Sequence, residues 1–306
     1  MYFNQNNKFY HGIMFHHFHD NGIHTKGQGS IDKDDFYKMI NFIGRNNILD
    51  ADVFYEKFKN NNLKDNEVCL SFDDAIKCQI DIALPVLEEL KIKSFFFVYT
   101  SLFEGKPDNL EFFRYFRMNY FKSIDEFYDN FYKVLDKDFK SFFEKNSIKI
   151  KETKIKFPHY SISDIKFRLV RDVFLTKVQY EDKMFLMFKE KQFNHNEYSK
   201  KLFFQKNDLQ TLDNLGHIVG LHSHNHPTLL EKLSYDEQKN EYKKNLSLIS
   251  SILDKPKNEI KCMSHPCGSY NANTLEILKE LGIELGFKQI MTIEPEKGMK
   301  KINNSF

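Results

Sequence analysis

The sequence predicts an α/β fold, and two observations carry that reading. Short apolar runs alternate with stretches of helical periodicity, and four of the runs lead straight into clusters of histidine, aspartate or cysteine. With 306 residues the chain is long enough for one large domain or two ordinary ones, and its 41% hydrophobic and 15% aromatic content excludes a disordered protein. Lys and Arg number 45 against 43 Asp and Glu, a net charge of +2, so no general nucleic-acid-binding surface is indicated.

The expected strands, in order, are Gly12–Phe15, Val68–Phe72, Ser94–Tyr99, His217–Leu221, Ile260–Met263 and Glu284–Phe287. After the second, Ile80, Ala83, Leu84, Leu87 and Leu90 form an apolar helical stripe in which Pro85 is tolerable only in a first turn. Ser234 and Glu237 have capping-box spacing ahead of Tyr242, Leu246, Ile249 and Leu253, which marks a helix start. Asn273 and Glu276 are read as opening a further helix, with Gly282 as its stop. The segment 102–205 differs in character. It is dense in Phe, Tyr, Lys and Asp, nearly without Gly, and reads as a helical insertion (Phe112, Phe113, Phe116, then Phe127, Phe131, Val134, Leu135) that serves as a lid or a dimer contact. The expected division is therefore 1–101 with 206–306 as the main body and 102–205 as the insertion.

No stretch approaches the roughly 18 apolar residues that span a bilayer, and Met1–Lys8 has no apolar run of the signal-peptide kind. Cys69, Cys78, Cys262 and Cys267 show no CxxC pairing; Cys69 and Cys262 sit in apolar runs and read as buried small hydrophobes. A reduced, cytoplasmic setting is the expectation.

The strand ends hold the chemistry. Gly12–Phe15 leads to His16-His17-Phe18-His19-Asp20, and Val68–Phe72 leads to Asp73-Asp74. His217–Leu221 leads to His222-Ser223-His224-Asn225-His226, and Ile260–Met263 leads to Ser264-His265-Pro266-Cys267-Gly268. In parallel α/β sheets the C-terminal strand ends share one face, where sites form. Singly, each cluster has a plainer reading: Asp-Asp as a turn or helix cap, and the histidines as a polar turn or a surface segment. Six of the twelve histidines lie in these two clusters, which weakens the surface reading. His222 and His226, four apart, can converge on one ion from a helix face or from a tight loop. Two histidines and a carboxylate suit a divalent metal with open positions, and a second, adjacent carboxylate is then free to act as a general base in metal-assisted hydrolysis.

These residues resemble the polysaccharide deacetylase family (carbohydrate esterase family four). Ser71-Phe72-Asp73-Asp74-Ala75 resembles its T/S-F-D-D-G motif, and His222-Ser223-His224-Asn225-His226-Pro227 its H-S/T-x-x-H motif followed by Pro. Ser264-His265-Pro266-Cys267-Gly268 is similar to its third motif, and Met14-Phe15-His16-His17 to the L-x-Y-H strand of a subset. The resemblance covers about 10–101 and 206–292 and implies a distorted (β/α) barrel. It further implies Asp73 as general base and Asp74, His222 and His226 as holders of one divalent metal, zinc ahead of cobalt, nickel, iron or manganese. By the same resemblance the Cys267 amide binds the oxyanion and His16 protonates the departing amine, with His17 as the close competitor. The implied reaction removes an N-acyl group, N-acetyl foremost, from an amino sugar. With no leader in evidence, a small-molecule, nucleotide-linked or lipid-linked precursor of surface glycan is the expected substrate. A catalytically lapsed glycan- or partner-binding member and an amidase on a non-sugar amide are the alternatives.

Three departures stand against the family pattern. Ala75 replaces the usual Gly, the family's D-x-x-D-W motif has no counterpart in a chain without tryptophan, and Ser264 stands where typical members carry the arginine that orients the base. The support for Asp73 is accordingly sought in Lys261, His265, Arg114 or Arg117.

Overall fold

The computed structural model describes residues 11–27, 29–135, 138–158 and 160–289, so the N-terminal stretch read for a leader lies outside the described residues. The chain divides into two compact units, Met1–Asp108 with Lys200–Phe306, and Asn109–Ser199.

The first unit is built on one sheet of six parallel strands in chain order: β1 (His11–Phe15), β2 (Val68–Phe72), β3 (Phe95–Val98), β4 (Ile218–Leu221), β5 (Cys262–Ser264) and β6 (Leu285–Phe287). Parallel strands covered on both faces need no apolar–polar alternation. Accordingly every residue of β2 and β3 is buried. β5 starts two residues later than the sequence suggests, because the Ile260 amide closes the preceding short turn onto Lys257 O.

The sheet curls. A β-carbon at Gly12 in β1 would lie 2.9 Å from the Phe287 ring of β6, so the first and last strands approach each other across the interior. At Gly220 a β-carbon would come within 2.5 Å of the Cys262 carbonyl oxygen and 2.8 Å of the Phe97 ring, and only glycine leaves that space. The interior is filled by Cys69, Phe95, Phe97, Cys262, Leu285 and Phe287, together with Phe54 and Phe58 from the helix Ala51–Lys59. The outer face carries a second aromatic layer in which Phe36 of the helix Lys33–Ile43 meets Phe15 edge-on at 5.0 Å and Phe72 stacks on Phe96 at 4.7 Å. Such pairs add about 0.5–1.5 kcal/mol each beyond area burial. The expected (β/α) barrel is thus present as a curled, all-parallel sheet.

Strand periodicity of two determines what the interior columns end in. Cys69 and Ser71 are followed on the same side by Asp73, Gly220 by His222, and Cys262 by Ser264. Three polar side chains therefore arrive together above an aromatic plug.

The helices behind the strand ends have readable stops. Ser234 and Glu237 form the expected capping box on Tyr235–Leu253. The helix Ala272–Glu280 is capped by Asn271 with Thr274 in the reciprocal role, two residues before the expected Asn273. Asn271 is the residue with extended backbone here, so its side chain is the one that reaches the free amides. Pro85 lies in the first turn of Leu84–Glu89, after a wide turn over Gln79–Ala83.

The second unit is helical, with an aromatic core that includes Phe113, Phe116, Phe127, Phe131, Phe167 and Phe188. Val134 and Leu135 fall past the end of the helix Ile124–Lys133 and are half-buried. Arg117 lies over two of these rings, 5.5 Å from the Phe167 centroid and 5.9 Å from that of Phe127. No helix among the described residues is long and apolar enough to cross a membrane.

Candidate metal centre

At the C-terminal ends of β2 and β4, Asp74, His222 and His226 each offer one ligand atom, and these atoms lie within 4.8 Å of one another. Asp74 Oδ1 is 3.1 Å from His222 Nε2 and 3.2 Å from His226 Nε2. The two imidazoles do not share a helix face: His226 closes a tight loop with its own φ at 55° and that of Ser223 at 63°. The loop is braced by the Ser223 hydroxyl, which accepts from the His226 amide at 3.1 Å.

Each imidazole is gripped at its far nitrogen. His222 Nδ1 donates to the Ser264 carbonyl oxygen at 2.9 Å, and His226 Nδ1 lies 3.2 Å from Asp108 Oδ2. An imidazole that donates through Nδ1 has its Nε2 lone pair free, which is the tautomer a metal requires. Two Nε2 atoms and a carboxylate oxygen therefore form a donor set that fits one divalent ion and leaves positions open. Zinc, cobalt, nickel, iron and manganese all accept that set.

Asp73 is 2% exposed. Its Oδ2 accepts the Ser264 hydroxyl at 2.8 Å and stands 3.9 Å from His222 Nε2, while Oδ1 is buried with no hydrogen-bond partner. Ser264, standing where the resemblance places the family arginine, thus partners Asp73 itself. The expected supports do not: Lys261 pairs with Glu284 at 2.8 Å, and buried His265 stacks on Tyr270. Arg114 and Arg117 are residues of the helical unit, where Arg114 pairs with Glu111 at 3.3 Å. A short neutral hydroxyl suffices because β2 and β5 bring the two side chains into the same interior layer.

His16 Nε2 lies 3.7 Å from Asp74 Oδ2, and the His17 ring stacks alongside His16 at 6.4 Å. His16 follows Gly12 and Met14 in the interior column of β1. Cys267 is exposed and has left-handed backbone (φ 51°).

The charges are coupled. Burial would raise the Asp74 carboxyl, but His226, His16 and His222 together hold it well below the usual carboxylate range. For His226 burial works against the proton, yet Asp74 and Asp108 keep it protonated well above the usual range. The positive charge these carboxylates hold on His226 is the charge a divalent ion would bring. Asp73 goes the other way: burial raises it, and His222, His16 and the Ser264 hydrogen bond offset that only in part.

Several residues that brace this centre give little local signal in the sequence. Asn245 accepts the His222 amide at 3.0 Å and donates to Val98 O at 2.9 Å, tying β4 to β3. Glu241, one helical turn earlier, accepts the amides of His224 and Asn225 at 2.9 and 2.7 Å. Gln79, fully buried, donates to His16 O at 3.0 Å and Asp73 O at 2.6 Å and so locks β1 to β2. The one sequence cue was polar Glu241 and Asn245, four apart, beside the apolar stripe of their helix.

The remaining clustered histidines point elsewhere. His224 Nδ1 bonds Thr100 Oγ1 at 2.9 Å, His19 Nδ1 bonds Ser30 Oγ at 3.0 Å, and His24 Nε2 bonds Asp81 at 2.9 Å.

A family model described as polysaccharide deacetylase matches residues 173–286. No curated protein matches the chain in sequence. Among solved structures, the chain is similar to the Streptococcus pyogenes deacetylase PplD in complex with acetate, at 16% identity and a TM-score of 0.56, covering 98% of this chain and 89% of that one. IcaB from Ammonifex degensii gives 12% identity and a TM-score of 0.52, over 93% of this chain and 84% of that one. A de-N-acetylase from Aggregatibacter actinomycetemcomitans gives 11% and 0.52, over 96% and 91%. At such identities the likeness is one of fold.

Proposed function

We propose that this chain, a divergent relative of the polysaccharide deacetylases, is a metal-dependent hydrolase that removes an N-acetyl group from an amino sugar. The observation that carries the reading is the convergence of His222 Nε2, His226 Nε2 and Asp74 Oδ1 beside a second, separately anchored carboxylate, Asp73. The acetate named with the PplD structure is the carboxylate such a reaction would release.

Asp74, His222 and His226 hold the ion. When bound, a divalent cation supplies Lewis acidity to the amide carbonyl and makes a water easier to deprotonate. Asp73 takes the proton of the attacking water on its unpartnered Oδ1, while the Ser264 hydroxyl fixes Oδ2. Its raised pKa makes it a stronger base than a surface carboxylate. The Cys267 amide donates to the oxyanion as the carbonyl becomes tetrahedral. His16, about one-third exposed at the rim, gives its proton to the amine as the C–N bond breaks. Oxygen from water ends on the acyl carbon, and the products are acetate and a free amino sugar.

We assign the sugar to a nucleotide-linked or lipid-linked precursor of surface glycan. The test is acetate release from N-acetylated nucleotide sugars, a lipid-linked analogue and short oligomers, with native protein beside Asp73→Asn. The expected result is acetate release by native protein after loading with zinc. Asp73→Asn is expected to keep the ion and to lose about 10²–10⁴-fold in turnover. Equal turnover by the two proteins would remove Asp73 from the mechanism.

A further inference from the structure

Among the described residues, Asp108 brings a further acidic side chain to the centre. Asp108 lies 118 residues from His226 in sequence, and its Oδ2 sits 3.2 Å from His226 Nδ1. The carboxylate is held in place: its own amide donates to the Tyr99 hydroxyl at 3.0 Å, and the Tyr99 ring lies 5.5 Å from that of His226. Asp108 is only 11% exposed at its side chain, against 9% for His226, so the pair is shielded from competing water. The loop that carries it follows a short turn over Ser101–Glu104, which is fastened to the second histidine loop by the amides of Thr100 and Ser101 donating to His224 O. Asp108 is also the last residue of the first unit before the chain passes into the helical unit.

The two ligand histidines are therefore supported unequally. His222 donates to a neutral backbone carbonyl at 2.9 Å, whereas His226 faces an ionisable carboxylate. A carboxylate behind a ligating imidazole fixes the ring and the tautomer and makes the distal nitrogen a better donor, and losing such a partner typically weakens metal binding about 10–100-fold. A carbonyl fixes the ring without adding charge.

We propose that Asp108 is a positioning residue that sets the affinity of the centre through His226. The inference rests on the metal-site reading above and adds to it a residue that touches neither metal nor substrate.

The experiment measures the zinc dissociation constant by competition with a chromophoric chelator, without reference to turnover. It compares native protein, Asp108→Asn, Asp108→Ala, His226→Ala and the double variant Asp108→Ala with His226→Ala. The expected result is a dissociation constant about 10–100-fold weaker for Asp108→Ala, with an intermediate loss for Asp108→Asn, which keeps an acceptor oxygen without the charge. In the His226→Ala background, removing Asp108 is expected to change nothing further, because its effect passes through that ring. Thermal melting of the metal-free proteins separates a folding defect from a metal effect. Unchanged zinc affinity in a folded Asp108→Ala overturns the proposal while leaving the metal site standing. Equal further loss in the His226→Ala background overturns it as well. No zinc binding by native protein overturns the proposal together with the reading beneath it.

Discussion

After β1 the chain carries His16, His17, His19 and His24, and after β4 it carries His222, His224 and His226, two stretches of much the same composition in one unit. In the first, only His16 turns into the interior column, while His19 and His24 close turns onto Ser30 and Asp81. In the second, His222 and His226 present Nε2 to one carboxylate oxygen, and His224 alone turns away to Thr100. Composition marks both stretches equally. What separates them is the group behind each ring: His24 spends Nε2 on a carboxylate, whereas His222 and His226 are held at Nδ1 and keep Nε2 for the centre.

The comparison breaks most sharply under alanine substitution. His226→Ala is expected to abolish metal-dependent turnover, a loss of at least about 10³-fold given that the donor set falls to two. His24→Ala is expected to cost about 1–2 kcal/mol of stability from its buried hydrogen bond and to leave turnover near native. Parallel assays and melting curves check both; comparable turnover losses would erase the distinction between the stretches.

Within the first stretch, His16→Ala is expected to slow turnover about 10²-fold, in keeping with loss of a general acid, with zinc content unchanged. His17→Ala is expected to stay within about twofold of native, since it is His16 whose Nε2 reaches Asp74 Oδ2, at 3.7 Å. The reverse ranking would move the acid by one residue.

Ser264→Ala sharpens the contrast between the family arginine and this chain's hydroxyl. It removes the donor to Asp73 Oδ2, and hydrogen bonds to charged groups are worth about 1.5–3 kcal/mol. That bond lowers the Asp73 pKa against the rise caused by burial. Without it the pKa climbs further and the base is protonated sooner as pH falls. The acid limb of the pH–rate profile should therefore move to higher pH, and an unmoved limb would mean that Ser264 does not govern the base.

The smallest effect is expected at Ala75, whose φ of 52° is the conformation that suits the family glycine. Ala75→Gly relieves about 1–2 kcal/mol of left-handed strain. It adds about 0.5–1 kcal/mol of chain entropy and gives up a buried methyl worth about 0.8 kcal/mol. The sum stays near zero, and a melting shift equivalent to more than about 2 kcal/mol would show that one of these terms is misjudged.

The same comparison explains what local pattern reveals. All six strands were legible as apolar runs, because a sheet buried on both faces leaves no other composition for its strands. The residues of the candidate centre stand out in the sequence because they follow those strands at motif spacing. Asp108, Asn245, Gln79 and the hydroxyl of Ser264 do not. Their partners His226, His222, His16 and Asp73 lie 118, 23, 63 and 191 residues away, so local pattern does not reveal these pairings. Ser264 is instructive: read as a lost arginine, it turns out to occupy the interior column that delivers a donor to Asp73. The Asn271 cap was missed by two residues because Asn271 and Asn273 both have capping chemistry, and only the extended backbone at Asn271 distinguishes them.

The central claim is that Asp74, His222 and His226 form one metal centre. Elemental analysis of metal per chain, on native protein beside His222→Ala after equal exposure to zinc and removal of free ion, tests it most directly. The account expects about one ion per native chain, the number a single donor set holds, and a loss of that ion in the variant. Native protein without metal, or a variant that retains it in full, would contradict the centre.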